Sequence, residues 1–168
     1  MKDNNQPLWR RLLKALYERY PSDRKGEVNF KRLIKMLYLL DWKHCIDTGR
    51  QATDVAWIYD FYGPYSSVFE EISGDKFEAF KAERGTGEIS KELSIYINSI
   101  IYFSAPLTYE KFINCIYSTH PILTTAQGEP LDLVSRAKDY IILREKRRKI
   151  QQENERKESE KSSEARAD

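Results

Sequence analysis

The sequence predicts a mainly α-helical, compact domain of about five to six helices with one small β element and a charged C-terminal tail. Three observations carry this. Apolar residues recur at helical spacing through most of the chain. A single short aromatic run, Val55 to Tyr62, has the alternation of a strand. Beyond Leu143 apolar residues almost vanish.

The first helix carries Leu8, Trp9, Leu12, Leu13, Leu16, Tyr17 and Tyr20 and stops at Pro21. "PSDRKGEVN" reads as a polar turn. Asn29 then caps a second, central helix with Phe30, Leu33, Ile34, Leu37, Tyr38 and Cys45, closed by Gly49 where a left-handed residue is needed. Val55–Tyr62 is expected as a strand, with Trp57, Tyr59 and Phe61 on one side and Ile58, Asp60 and Tyr62 on the other. Gly63-Pro64 is expected to break it and to lead "YSSVFEEI" into a short helix. "GDKFEAFKAERGTGEIS" reads as a loop or weak hairpin around Gly85-Thr86-Gly87. Ser90 caps a helix with Leu93, Ile97, Ile100 and Ile101, and Thr108 caps one with Phe112, Ile113, Ile116 and Tyr117. After the link "HPILTTAQGEP", a last helix starts near Asp132 and buries Leu133, Val134, Ala137, Tyr140 and Ile141. It is expected to continue as a solvated rod until "SEKSSEARAD" frays. Residues 1–143 are thus expected to form the domain, and 144–168 a charged, partly disordered extension. No internal repeat is visible.

The 168 residues, 40% hydrophobic, suffice for one core. The polar start, Met1 to Pro7, has no secretory pattern, and no apolar run reaches the roughly 20 residues of a membrane span. A soluble, cytoplasmic protein without membrane contact is expected. Cys45 and Cys115 are too few for a disulfide framework and should be free thiols. Of 28 basic and 26 acidic residues, 9 and 7 lie from Arg144 onward, leaving 19 of each before it. A neutral domain does not present phosphate-binding charge over its whole surface.

Candidate chemistry is sparse. His44-Cys45 and Cys115 with His120 are the only soft ligands, without finger or ribbon spacing, so neither metal nor cofactor is expected. No Ser, Thr or Cys sits in a nucleophile context, and "RGTGE" lacks the lysine of a phosphate loop. Glu70-Glu71 and Asp41 read as solvated or dipole-compensating charges rather than an acid–base pair, so an enzyme is not expected. "REKRRK" places Arg144, Lys146, Arg147, Arg148 and Lys149 within six residues and is the nucleic-acid candidate, against a solvated helix end whose cations oppose the helix dipole. Among the aromatics Trp42, Trp57, Tyr59, Phe61, Tyr62 and Tyr65, Trp57 or Phe61 is expected in the core. Tyr59, Tyr62 and Tyr65 are candidates for partner contact.

The stretch "KRLIKMLYLLDWKHCIDTGRQATDVAWIYDFYGPY" resembles the signature of the Panacea domain, the SocA-like antitoxin and phage-associated protein family. Tyr38, Asp41, Trp42, Thr48, Gly49, Trp57, Tyr62, Gly63 and Pro64 stand at the matching places. The resemblance is firm over Phe30 to about Ile72 and looser to about Leu133. Tyr65 departs from it, since a small aliphatic residue is common after the Gly-Pro. The resemblance implies a mostly helical protein with a small strand element. It also implies an antitoxin that neutralises a co-encoded toxin by direct binding, or an adaptor that delivers a partner to a protease. A nucleic-acid-binding regulator of a mobile element or phage, using residues 144–149, is the alternative. The second helix and the strand are expected to pack through Trp42 and Trp57, with Gly63-Pro64 fixing how Tyr62 and Tyr65 are presented.

Overall fold

A helix with an apolar stripe lays that stripe on a neighbour, whereas a helix apolar on nearly all sides has to be surrounded. Both cases occur in the computed structural model, which describes residues 6–85 and 87–164. α1 (Leu8–Arg19) buries Trp9, Leu12, Leu13 and Leu16. α2 (Phe30–Thr48) buries every side chain from Arg32 to Trp42. It is the central element, packed against α1, α4 (Lys91–Ser104), α5 (Tyr109–Tyr117) and α7 (Leu133–Glu164). Its ends are closed as the sequence predicts. The Asn29 side chain accepts from the Arg32 amide at 2.8 Å, and Gly49 takes a left-handed φ of 74°. Ser90 and Thr108 likewise accept from the amides of Leu93 and Lys111. Such caps contribute about 1 kcal/mol each.

The mainly α class holds, and the β element differs from its expected form. β1 is only Ile58–Asp60, and Gly63-Pro64, expected to end the strand, opens β2 (Gly63–Tyr65). The two strands pair antiparallel, Ile58 with Tyr65, Tyr59 with Pro64 and Asp60 with Gly63. Phe61 and Tyr62 are therefore the turn of a hairpin. Gly63, at φ 95°, supplies the left-handed conformation that returns the chain to its partner strand. Proline is tolerated because β2 is an edge strand. The far edge of β1 is covered: Tyr59 donates to the Glu129 carbonyl at 3.0 Å, and Leu131 donates to that of Trp57 at 2.9 Å. The "YSSVFEEI" segment forms a 3-10 helix at Ser67–Ile72, and the turn after Pro21 is another, Ser22–Glu27.

Two further corrections concern helices. The segment read as a loop or weak hairpin contains α3 (Lys76–Ala82), which buries Phe77 and Phe80. Its last carbonyls, those of Phe80 and Lys81, accept from the buried Lys14 amine at 3.1 and 2.7 Å. A seven-residue helix with two apolar positions is too weak a pattern to read, and tertiary contact makes it. Thr86, at the centre of the expected hairpin, lies outside the described residues. The link after α5 contains α6 (His120–Leu123), a single turn. The last helix does not fray at Ser159 but runs to Glu164. Residues 1–5 and 165–168, within the expected polar start and frayed end, also lie outside the described residues. Burial on α7 is confined to its beginning, at Leu133 and Ala137, and every described side chain from Ile142 on is exposed. Among the described residues no helix is long and apolar enough to cross a membrane.

Candidate functional site

Asp41 organises the surroundings of the hairpin. The carboxylate is fully buried on α2 and accepts from the Thr53 amide at 2.9 Å, the Thr53 hydroxyl at 2.5 Å and the Trp57 indole N–H at 2.8 Å. Burial raises its pKa above the ordinary carboxylate range, while these donors work in the opposite direction by favouring the ionised form. One side chain thus ties the loop after α2 and the approach to β1 onto the central helix. Tyr38, one turn earlier, meets Trp57 edge to face at 5.6 Å, and its hydroxyl pairs with Thr119 Oγ1 at 2.8 Å. Trp57 also leans on Phe69, which receives the edge of Trp9 from α1 at 5.4 Å.

The remaining predicted motif residues divide by role. Trp42 is buried, but it does not meet Trp57 as expected; it lies 5.6 Å from Tyr140, joining α2 to α7. One position separates Asp41 from Trp42, which turns them about 100° apart on the helix. Thr48 donates to the His44 carbonyl at 2.8 Å, and Gly49 makes the left-handed turn beyond it. His44 Nδ1 lies 2.6 Å from the Arg50 carbonyl, so this imidazole belongs to the helix end. Among the described residues no three His, Cys, Asp or Glu side chains come together to hold a metal. Both thiols are free, and burial, followed by Asp41 and Asp132, pushes that of Cys45 up to about 12. Gly63 and Pro64 are buried in β2.

The core role expected of Trp57 or Phe61 falls to Trp57 alone. Trp57 is core, but Phe61 is not: it is 72% exposed and lies beside Tyr62, 64% exposed, with their rings 5.2 Å apart in an edge contact. Lys31 Nζ sits 4.7 Å from the Tyr62 ring centroid. Tyr59 and Tyr65 are half-buried, Tyr59 toward Tyr117 of α5 and Tyr65 against Phe69. Of the three candidate tyrosines, Tyr62 alone is exposed, and its neighbour at the tip is Phe61. Strict strand alternation places Phe61 on the face of Trp57; only recognition of the turn takes it out of the core.

Arg144, Lys146, Arg147, Arg148 and Lys149 are all exposed on α7. At about 100° per residue they spread around the rod, with Arg144, Arg147 and Arg148 on one side. The Arg144 guanidinium lies 5.7 Å from the Tyr140 ring.

Residues 33–134 match the family described as antitoxin SocA-like, Panacea domain. The match spans more than half of the chain, from inside α2 through the hairpin to the start of α7, and the chain belongs to that family. No curated protein and no solved structure matches it.

Proposed function

We propose, with that membership as premise, that this chain is an antitoxin-type protein-binding module of the cytoplasm that neutralises a co-encoded toxin by direct contact through the hairpin tip. The observation supporting the surface is the pair Phe61 and Tyr62, two exposed rings side by side on a short turn. Exposed aromatics held on fixed backbone lose little entropy on docking and are the residue types that anchor interfaces. Asp41 and Trp57 hold that backbone from below. Delivery of the partner to a protease would use the same surface, since an adaptor also has to grip its cargo. Nucleic-acid binding by residues 144–149 is the competing reading, supported by the three arginines on one side of α7.

The test is co-expression with the product of the neighbouring gene, read as growth rescue and as capture of that product. Phe61→Ala with Tyr62→Ala should leave the melting temperature close to the parent's, because both rings are exposed. Capture should weaken about 30-fold, the equivalent of about 2 kcal/mol for an interface anchor. A control surface is available on α4, where Ile95 and Tyr102 are exposed seven residues apart. Loss of capture in the α4 double-alanine variant alone would move the contact there. Glutamine at all five basic positions should change capture little. If that variant alone loses its partner, if the partner is nucleic acid, and if affinity falls steeply with salt, the basic segment is the site instead.

A further inference from the structure

A buried ammonium carries three donors, and leaving them unmet in an apolar interior is costly. Two other buried cations find carbonyl acceptors, although Arg32 keeps an unpartnered Nε. Lys14 donates to the end of α3, and Arg32 donates to the carbonyls of Ser104 and Leu107 at 2.6 and 2.8 Å. Lys35 is only 4% exposed and among the described residues its ammonium makes no hydrogen bond and no ion pair, but the nitrogen is not sealed off: it opens into a cavity. The charges acting on it are Lys31, which repels, and Asp60, which attracts. It lines a cavity of about 310 Å³ between α2 and the hairpin, walled by Phe30, Tyr62 and Tyr65, with Lys31 and Asp60 as the other charged groups. Its Cε lies 3.6 Å from where a Cβ on Gly63 would stand. Two lysines against one carboxylate leave the cavity net positive, and its walls are aromatic.

We propose that this cavity takes a peptide carboxylate together with the apolar side chain beside it, the carboxylate seated on Lys35 and the apolar group between the rings. Such an occupant gives the Lys35 ammonium a charged acceptor where the protein itself offers none, and a charge-assisted bond in a partly desolvated site is about twice as strong as a neutral one. Lys31, over the Tyr62 ring, draws the anion to the mouth. That the carrier is a protein partner rests on the reading of the hairpin as contact surface; the preference for a carboxylate does not.

Burial, then Lys31, lower the Lys35 amine to about 8. The other titratable groups facing it are Lys31 on α2, Asp60, Tyr62 and Tyr65 on the hairpin, and Tyr117 on α5. Burial raises Tyr65 and Tyr117 above the ordinary tyrosine value. Anion affinity should therefore fall as pH rises through about 8, by about tenfold between pH 7 and pH 9.

The probes are 3-phenylpropanoate, its amide and phenyl phosphate, titrated into the full chain at millimolar concentration and followed by NMR at the Gly63 amide. The carboxylate is expected to shift that signal saturably and with the stated pH dependence, and the amide to bind at least tenfold more weakly. Lys35→Met keeps an unbranched apolar stem, should melt at or above the parent temperature, and should lose both the carboxylate preference and the pH dependence. Lys31→Gln, at an exposed position, should weaken binding less. Equal binding of acid and amide, an unchanged Lys35→Met, or no shift at Gly63 with any probe overturns the site. Tighter binding of phenyl phosphate overturns the carboxylate. Capture of the co-encoded partner that is unchanged in Lys35→Met overturns the peptide as carrier, while failure of the hairpin reading shows separately in the Phe61 and Tyr62 variant.

Discussion

Asp41 accepts three donors from residues 12 and 16 positions away. Replacing it with asparagine keeps one acceptor oxygen and points an N–H₂ at groups that themselves donate. Orphaning a buried donor costs about 1–3 kcal/mol. Burial penalises the charged carboxylate, and that penalty disappears in the amide, so Asp41→Asn should fall at the lower end of this range and Asp41→Ala at or above the upper. In a chain of this size each kcal/mol lowers Tm by about 2–4 °C. Thermal melts of the two variants read this directly. A pair of melts matching the parent would show that Thr53 and Trp57 are held without the carboxylate. The position of Asp41 was visible in the sequence through the family resemblance, but its partners were not: spacings of 12 and 16 carry no periodic signal. Lys35 was invisible for a related reason. A lysine within an apolar helix reads as a solvated residue until the hairpin that covers it is in place.

At the scale of elements, legibility followed local chemistry. The caps at Asn29, Gly49, Ser90 and Thr108 were readable because each depends on residues within four positions. The hairpin was not, because its turn residues are aromatic and the glycine that permits the turn stands one position after them. Followed by proline, that glycine signals the end of a strand rather than the start of its partner. α3 was missed because its C-terminal carbonyls are satisfied from α1, by Lys14, 66 and 67 residues away. Gly63→Val tests the hairpin as observed. A Cβ there would meet Lys35 Cε at 3.6 Å and the Tyr117 ring at 3.7 Å, ordinary contact, so space alone does not forbid a side chain. The φ of 95° does, since a β-branched residue is strained in that region by about 1–3 kcal/mol. The variant should melt several degrees lower. Gly63→Ala should show most of the same loss, because the strain belongs to the backbone. If both melt like the parent, position 63 is ordinary extended chain and the aromatic tip is not fixed in the way described.

Across the whole molecule, the matched region and the packed region do not coincide. Residues 33–134 exclude α1, yet α1 lies against α2, α3 and α4 and sets Trp9 on Phe69. The family signature therefore needs a helix from outside it to complete its core in this chain. The opposite end behaves differently. Beyond Ile141 every described side chain of α7 is exposed, and its internal support consists of pairs such as Arg156 with Glu160 at 3.1 Å and Gln151 with Glu155 at 2.9 Å. Such pairs contribute about 0.2–0.5 kcal/mol each to their own helix and nothing to the core. Truncation after Lys149 removes them and brings "REKRRK" to the new helix terminus, where the cations oppose the negative end of the dipole and gain a few tenths of a kcal/mol each. The shortened chain should accordingly melt within about 2 °C of the full one, a shift that corresponds to under about 1 kcal/mol. Removal of α1, by contrast, exposes Trp9, Leu12, Leu13 and Leu16 of the core and leaves Leu33 to Leu40 without one wall, so it should abolish cooperative melting. A truncation after Lys149 that loses many degrees would mean that the rod packs on the domain in solution, and the fold would then extend past residue 143.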